Sequence, residues 1–107
     1  MNNLEKLTQL NGVSGREDAV RAEIAAQLQA LGLPAHTDVL GNLIAYRKGT
    51  GPHKIILCAH MDEVGLMVKY ISPDGFLSFI TVGGIDPRTL LAQRVTVHTA
   101  SGPVSGG

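Results

Sequence analysis

The 107-residue chain has little sulfur, no excess of charge and no long apolar run. Its single cysteine, Cys58, cannot close an internal disulfide, which sets the chain apart from small secreted scaffolds and suits a reducing cytoplasm. Nine basic residues balance nine acidic ones without clustering. No electrostatic footprint therefore asks for nucleic acid or an anionic membrane surface. The apolar runs extend for only a handful of residues, against the roughly 20 that a spanning helix requires. The first residues, Met1-Asn2-Asn3-Leu4-Glu5-Lys6, lack the basic and apolar regions of a secretory signal. What remains, with 44% hydrophobic residues and a formal net charge of zero, is globular material of about one small domain.

Helical periodicity is confined to the first third, and short strands follow, so the fold class is mixed α/β. Leu4, Leu7 and Leu10 recur at helical spacing and Gly12 closes that stretch. Ser14-Gly15-Arg16-Glu17 reads as a capping box, with Ser14 as cap and Glu17 reaching back to it. Val20, Ile24, Leu28 and Leu31 then form one apolar stripe, ended by Gly32-Leu33-Pro34. His36 to Leu40 and Leu43 to Arg47 flank Gly41-Asn42 as a hairpin would. Ile55-Ile56-Leu57-Cys58-Ala59 is apolar at every position and predicts a central strand covered on both faces. Val64 to Ile71 and Phe76 to Val82, joined by Ser72-Pro73-Asp74-Gly75, predict a second hairpin. Gly83-Gly84-Ile85-Asp86-Pro87 interrupts it, and Arg94 to Thr99 alternates as a half-buried strand. After Ser101-Gly102-Pro103 only Val104-Ser105 opens a returning strand, which leaves an edge without a full partner. That edge, and the shortage of helices for a strand buried twice over, lead us to expect an amino-terminal piece of something longer.

Chemistry concentrates in Cys58-Ala59-His60-Met61-Asp62-Glu63-Val64-Gly65, where the apolar run ends. Ligand sites of open α/β sheets lie at the carboxyl ends of strands. In extended chain, residues two apart share a side, which places His60 with Asp62 and turns Glu63 away. A carboxylate beside an imidazole fixes the metal-binding tautomer and raises ligand basicity. His60 is thus a candidate metal ligand and Asp62 the residue that holds it, although a histidine at a strand end is also a common surface residue. One ligand is not a site, since metal centres draw on about three or four. His36-Thr37-Asp38 has the same spacing but follows no buried strand, and we expect it to be exposed. Cys58 reads as a small core residue, and Ser14 as a cap with no histidine arranged as its partner.

Four ordered blocks carry a resemblance: Asn11-Gly12-Val13-Ser14-Gly15-Arg16-Glu17, Leu40-Gly41-Asn42-Leu43-Ile44, Ala59-His60-Met61-Asp62-Glu63-Val64-Gly65 and Val82-Gly83-Gly84-Ile85-Asp86-Pro87-Arg88. Together they resemble the tetrahedral dodecameric aminopeptidases, the glutamyl-aminopeptidase and cellulase-like family of dinuclear metallopeptidases, from about Leu4 to Val104. The resemblance implies an αβα-sandwich catalytic domain whose first segment is residues 1–66, followed from residue 67 to 107 by the start of a β-rich, barrel-like oligomerisation domain. It implies that His60 is a metal ligand and Asp62 the catalytic acidic residue beside it. It also implies two divalent ions, zinc or cobalt, that activate a water on the scissile carbonyl while a glutamate serves as base. Peptide substrates, a homo-dodecamer and a cytoplasmic location follow from the same source, with neither nucleic acid nor membrane as partner. Glu63 does not stand where the family has its base, and the remaining ligands lie beyond residue 107. Arg88 would serve oligomer contacts, the substrate cleft or a plain surface. By itself the chain is expected to be inactive. Two other classes compete: a noncatalytic assembly or folding module, and a glycoside hydrolase, which would need two carboxyl groups about 5 to 10 Å apart across a cleft.

Overall fold

Asn2 starts the fold, its side chain accepting the Glu5 amide at 2.8 Å to cap helix α1, Asn3–Thr8. The computed structural model describes residues 2–107 and divides into two compact units, Met1–Gly65 and Leu66–Gly107.

In the first unit, helix α2 spans Asp18–Ala30. It begins later than the capping box predicts. Gly15 takes φ +85°, Arg16 donates to the Val13 carbonyl at 2.7 Å, and the chain makes a turn where the helix was expected. Glu17 occupies the cap position without a side-chain cap, because its carboxylate instead accepts the Gly15 amide at 2.6 Å. The other end follows the sequence closely. Gly32, at φ +71°, donates to Gln29 and Leu33 to Leu28, both at 2.9 Å, which is the Schellman pattern. Val20, 6% exposed, is the one buried hydrophobic side chain among the described residues; Ile24 and Leu28 are half-buried on its stripe and Leu31 lies outside the helix, exposed. Lys6 of α1 reaches Glu23 of α2 at 2.6 Å.

Two short strands, β1 (Ala35–Thr37) and β2 (Leu43–Ala45), pair antiparallel with His36 opposite Ile44, and both pack on α2. The connection is longer than a Gly41-Asn42 turn. Asp38 closes it by accepting the Leu40 and Asn42 amides at 2.9 Å and the Asn42 side chain at 2.8 Å. The predicted strand at 55–59 is not formed. Ile55, Ile56 and Leu57 are 87%, 82% and 93% exposed, and Cys58 is exposed as well. A central strand is made by its neighbours, and among the described residues none pairs with this run.

The second unit is built from β3 (Gly65–Ile71) and β4 (Leu77–Val82), which pair with each other, and from β5 (Val95–Thr99) and β6 (Gly102–Gly106), which pair antiparallel. Ser72 organises the first turn, donating its amide to the Phe76 carbonyl at 2.8 Å and accepting the Phe76 amide on its hydroxyl at 3.0 Å. Between the hairpins lies a 3-10 turn, Pro87–Leu90, capped by Asp86. The returning strand β6 is complete opposite β5, from Gly102 against Thr99 to Gly106 against Val95. The expectation of an almost absent strand therefore fails. Gly102, Pro103 and Gly106 weakened the strand signal, yet an edge strand accommodates them. Among the described residues no helix is long and apolar enough to cross a membrane.

Candidate functional site

The site is assembled by a single parallel bridge between Val13 and Glu63. Glu63 donates its amide to the Gly12 carbonyl at 2.8 Å, and Ser14 donates its amide to the Glu63 carbonyl at 3.3 Å. The Glu63 carboxylate adds a third link, accepting the Gly12 amide at 3.0 Å. Two glycines permit this approach. A Cβ on Gly12 would stand 2.9 Å from Val20 Cγ2 and 3.2 Å from the Met61 carbonyl oxygen. One on Gly65 would collide with the Val13 side chain. The first and third sequence blocks are thus interlocked backbone to backbone.

The bridge brings Ser14 to Asp62. The Ser14 hydroxyl donates to Asp62 Oδ2 at 2.6 Å, while Asp62 Oδ1 faces His60 Nδ1 at 3.1 Å. The same ring nitrogen lies 2.9 Å from the Asp62 carbonyl oxygen. Both neighbours are acceptors, so a neutral ring carries its proton on Nδ1 and leaves the Nε2 lone pair free. His60 is 85% exposed and Asp62 43%, so nothing packs the imidazole in place. The Ser14 hydroxyl, and after it the His60 ring, hold the Asp62 carboxyl below the usual carboxylate range.

His60 and Asp62 therefore stand together, as the spacing of two predicts, while the Glu63 carboxylate goes to the Gly12 amide. Sequence reasoning misses Ser14, whose pattern reads as a helix cap. The signal that could have found it is the pair of glycines, Gly12 and Gly65, which mark close backbone approach. The serine touches Asp62 and not the imidazole, so the order Ser-Asp-His provides no base for a serine nucleophile. Asp62 and Glu63 are committed to different partners, so these two adjacent carboxylates do not supply the pair that glycoside hydrolysis needs. Asp38 is spent on its own loop, and its carboxyl is held low by the Asn42 side chain first and the Asn42 amide second. Arg88 is held by Asp86 through Nη2 at 2.5 Å.

A shallow cleft beside His60, Met61 and Asp62 is also lined by Glu17, Arg21 and Gly41. Arg21 joins its walls, donating from Nε to the Gly41 carbonyl at 2.8 Å and from Nη1 to Asp18 at 2.7 Å. Parts of three sequence blocks thus surround one opening. Among the described residues, no three His, Cys, Asp or Glu side chains lie close enough to hold a metal ion. The donor set fits one ligand position, the free Nε2 of His60, and its carboxylate support.

The profile of the family described as M42 glutamyl aminopeptidase matches residues 41–107. The lysyl aminopeptidase of Pyrococcus furiosus is 39% identical over 100 residues, covering 92% of this chain and 29% of the relative. An aminopeptidase from the archaeon Desulfurococcus kamchatkensis superposes with a TM-score of 0.87 at 46% identity, over 94% of this chain and 29% of its own. The TET1 peptidase of Pyrococcus horikoshii, which can assemble into a tetrahedron or a large octahedral shell, gives a TM-score of 0.85 at 41% identity, over 96% and 31%. The chain spans less than a third of the length of the curated relatives it matches.

Proposed function

The chain belongs to the M42 glutamyl aminopeptidase family, and from that premise we propose that it is the amino-terminal segment of a metal-dependent aminopeptidase that releases amino-terminal residues from peptides. Residues 1–66 form the first segment of an αβα-sandwich catalytic domain and residues 67–107 the start of a barrel-like oligomerisation domain. The whole protein is a cytoplasmic homo-oligomer, a dodecamer by analogy with its relatives, and holds two divalent ions, zinc or cobalt. One observation carries the chemical part of this reading: the His60 ring is held on its Nδ1 side by Asp62, which frees Nε2.

In this reading His60 Nε2 is a metal ligand, and Asp62 fixes the ring's tautomer and direction. Divalent ions held in part by His60 would supply an activated water and polarise the scissile carbonyl. Arg21 ties the Gly41 loop to α2 and thereby keeps a wall of the cleft beside His60 in place. With a single ligand available, the 107-residue chain is inactive and binds metal weakly. In a longer polypeptide containing this segment, hydrolysis of aminoacyl p-nitroanilides is expected to stop on chelation and to return with zinc or cobalt. His60→Ala is expected to abolish that activity and lower the metal content; an unchanged His60→Ala enzyme would remove His60 from the site.

A further inference from the structure

We propose that Ser14 is a positioning residue: its hydroxyl fixes the Asp62 carboxylate, and through that carboxylate the His60 ring, so that Nε2 is presented to a divalent cation. The inference rests on the reading of His60 as a ligand and adds to it a residue from a different part of the chain.

Exposure makes the argument. An imidazole 85% open to solvent has no packed neighbours to set its angle, so its direction depends on polar contacts alone. Nδ1 has two, the Asp62 backbone carbonyl oxygen at 2.9 Å and the Asp62 carboxylate at 3.1 Å, and the terminal torsion of that carboxylate is broad and nearly two-fold by itself. An unrestrained Asp62 would present either oxygen, or neither, to the ring. The Ser14 hydroxyl removes that freedom by engaging Oδ2 at 2.6 Å, which leaves Oδ1 toward Nδ1 at 3.1 Å. A hydroxyl-to-carboxylate bond of this length is charge-assisted and among the stronger kinds.

Ser14 can do this because its own backbone is fixed. Its amide is bonded to the Glu63 carbonyl, one residue beyond Asp62, and Gly12 on its other side is held by both the amide and the carboxylate of Glu63. Glu63 thus acts on the loop that carries Ser14, while Asp62 acts on the ring. The two adjacent carboxylates divide the work of ordering the site. Neither the helix-cap reading nor a nucleophile reading of Ser14 accounts for the contact, since α2 starts four residues later and the hydroxyl does not touch the imidazole.

The test uses the isotope-labelled 107-residue chain. Long-range proton–nitrogen correlation reads the His60 tautomer directly. The parent chain is expected to show chiefly the Nδ1–H form, and Ser14→Ala to lower the ratio of Nδ1–H to Nε2–H about threefold, as loss of one exposed polar link does. Ser14→Thr, which retains a hydroxyl, should restore it. In an Asp62→Asn background, Ser14→Ala should add nothing, whereas a merely structural serine would still matter there. The Gly12 and Glu63 amide resonances report whether the bridge survives. If Ser14→Ala disturbs them, Asp62→Asn is read in its place and should shift the ring equally. Ring nitrogens indifferent to Ser14→Ala with the bridge intact, or to Asp62→Asn, would overturn the proposal. Zinc added to the parent chain in large excess, because one imidazole binds it weakly, separates this from the underlying reading: His60 resonances unmoved at saturating zinc would sink the ligand assignment, whatever Ser14 does.

Discussion

Adding one methyl group at Gly12 should loosen the whole site, and the structure says by how much. Its Cβ would sit 2.9 Å from Val20 Cγ2 and 3.2 Å from the Met61 carbonyl oxygen, both too close for ordinary contact. Val20 is the buried side chain of the unit, and the Met61 carbonyl belongs to the backbone that carries His60 and Asp62. Neither can retreat freely, so Gly12→Ala is expected to cost about 1 to 3 kcal/mol, the usual range for overpacking, or roughly 5- to 150-fold in the closed-to-open ratio of the bridge. Gly49 is the control, because a Cβ there meets nothing within 4 Å and its φ is ordinary. Gly49→Ala should be neutral or gain about 0.4 to 1 kcal/mol from a stiffer unfolded chain. Urea unfolding followed by circular dichroism compares the two, and exchange of the Glu63 amide, which donates to the Gly12 carbonyl, reports the bridge itself. Equal stability and equal Glu63 protection in both variants would refute the claim that close approach at Gly12 holds the site together.

Asp62→Asn in a longer polypeptide should weaken metal affinity about 10- to 100-fold, measured by competition with a chromophoric chelator, since the supporting carboxylate is lost while His60 remains. Asn42→Ala should raise the Asp38 carboxyl toward its ordinary value, because Asn42 contributes the largest stabilisation of the charged form. A carboxyl held low in the fold stabilises it fully above its unfolded pKa, near 4, and loses that contribution as pH falls through the lower folded value. Carboxyl carbon shifts followed on acidification should show the variant's midpoint above the parent's. Arg88→Ala should change stability by no more than about 1 kcal/mol in thermal unfolding, because the exposed pair with Asp86 is screened by water. Leu57→Lys should reduce self-association of the 107-residue chain in light scattering, since a run of exposed apolar side chains is a template for aggregation.

Elements whose cause is local were legible in the sequence. The end of α2 needed only Gly32 to take positive φ, and the Ser72–Gly75 turn needed only residues that bond to their own backbone. Elements whose cause lies elsewhere in the chain were not. The pattern Ser14-Gly15-Arg16-Glu17 satisfies the capping rule, but Ser14 is drawn instead to a carboxylate forty-eight residues away. The run at Ile55 to Ala59 has the composition of a buried strand, but composition does not supply the strands that must lie beside it. Gly102 and Gly106 erred in the other direction, since register opposite β5 gives them a strand that their propensity does not.

The same distinction explains why the resemblance was more informative than any single motif. His60 with Asp62 is a spacing that chance provides, as His36 with Asp38 demonstrates in the same chain. What separates the two is the company each keeps. Asp38 turns to Leu40 and Asn42 and closes a five-residue loop, so its carboxylate is used up locally. Asp62 has one oxygen on Ser14 and the other toward His60, and the bridge that delivers Ser14 depends on Gly12 and Gly65. A block of sequence such as Gly12-Val13-Ser14 is therefore a contact surface for another block, and their joint presence reports a geometry that neither can specify alone. The cleft beside His60 extends this to the Leu40-Gly41-Asn42 block, which Arg21 fastens to α2. Chance can place a histidine two residues from an aspartate. It does not also place, in order, the glycines and the serine that make the pair rigid.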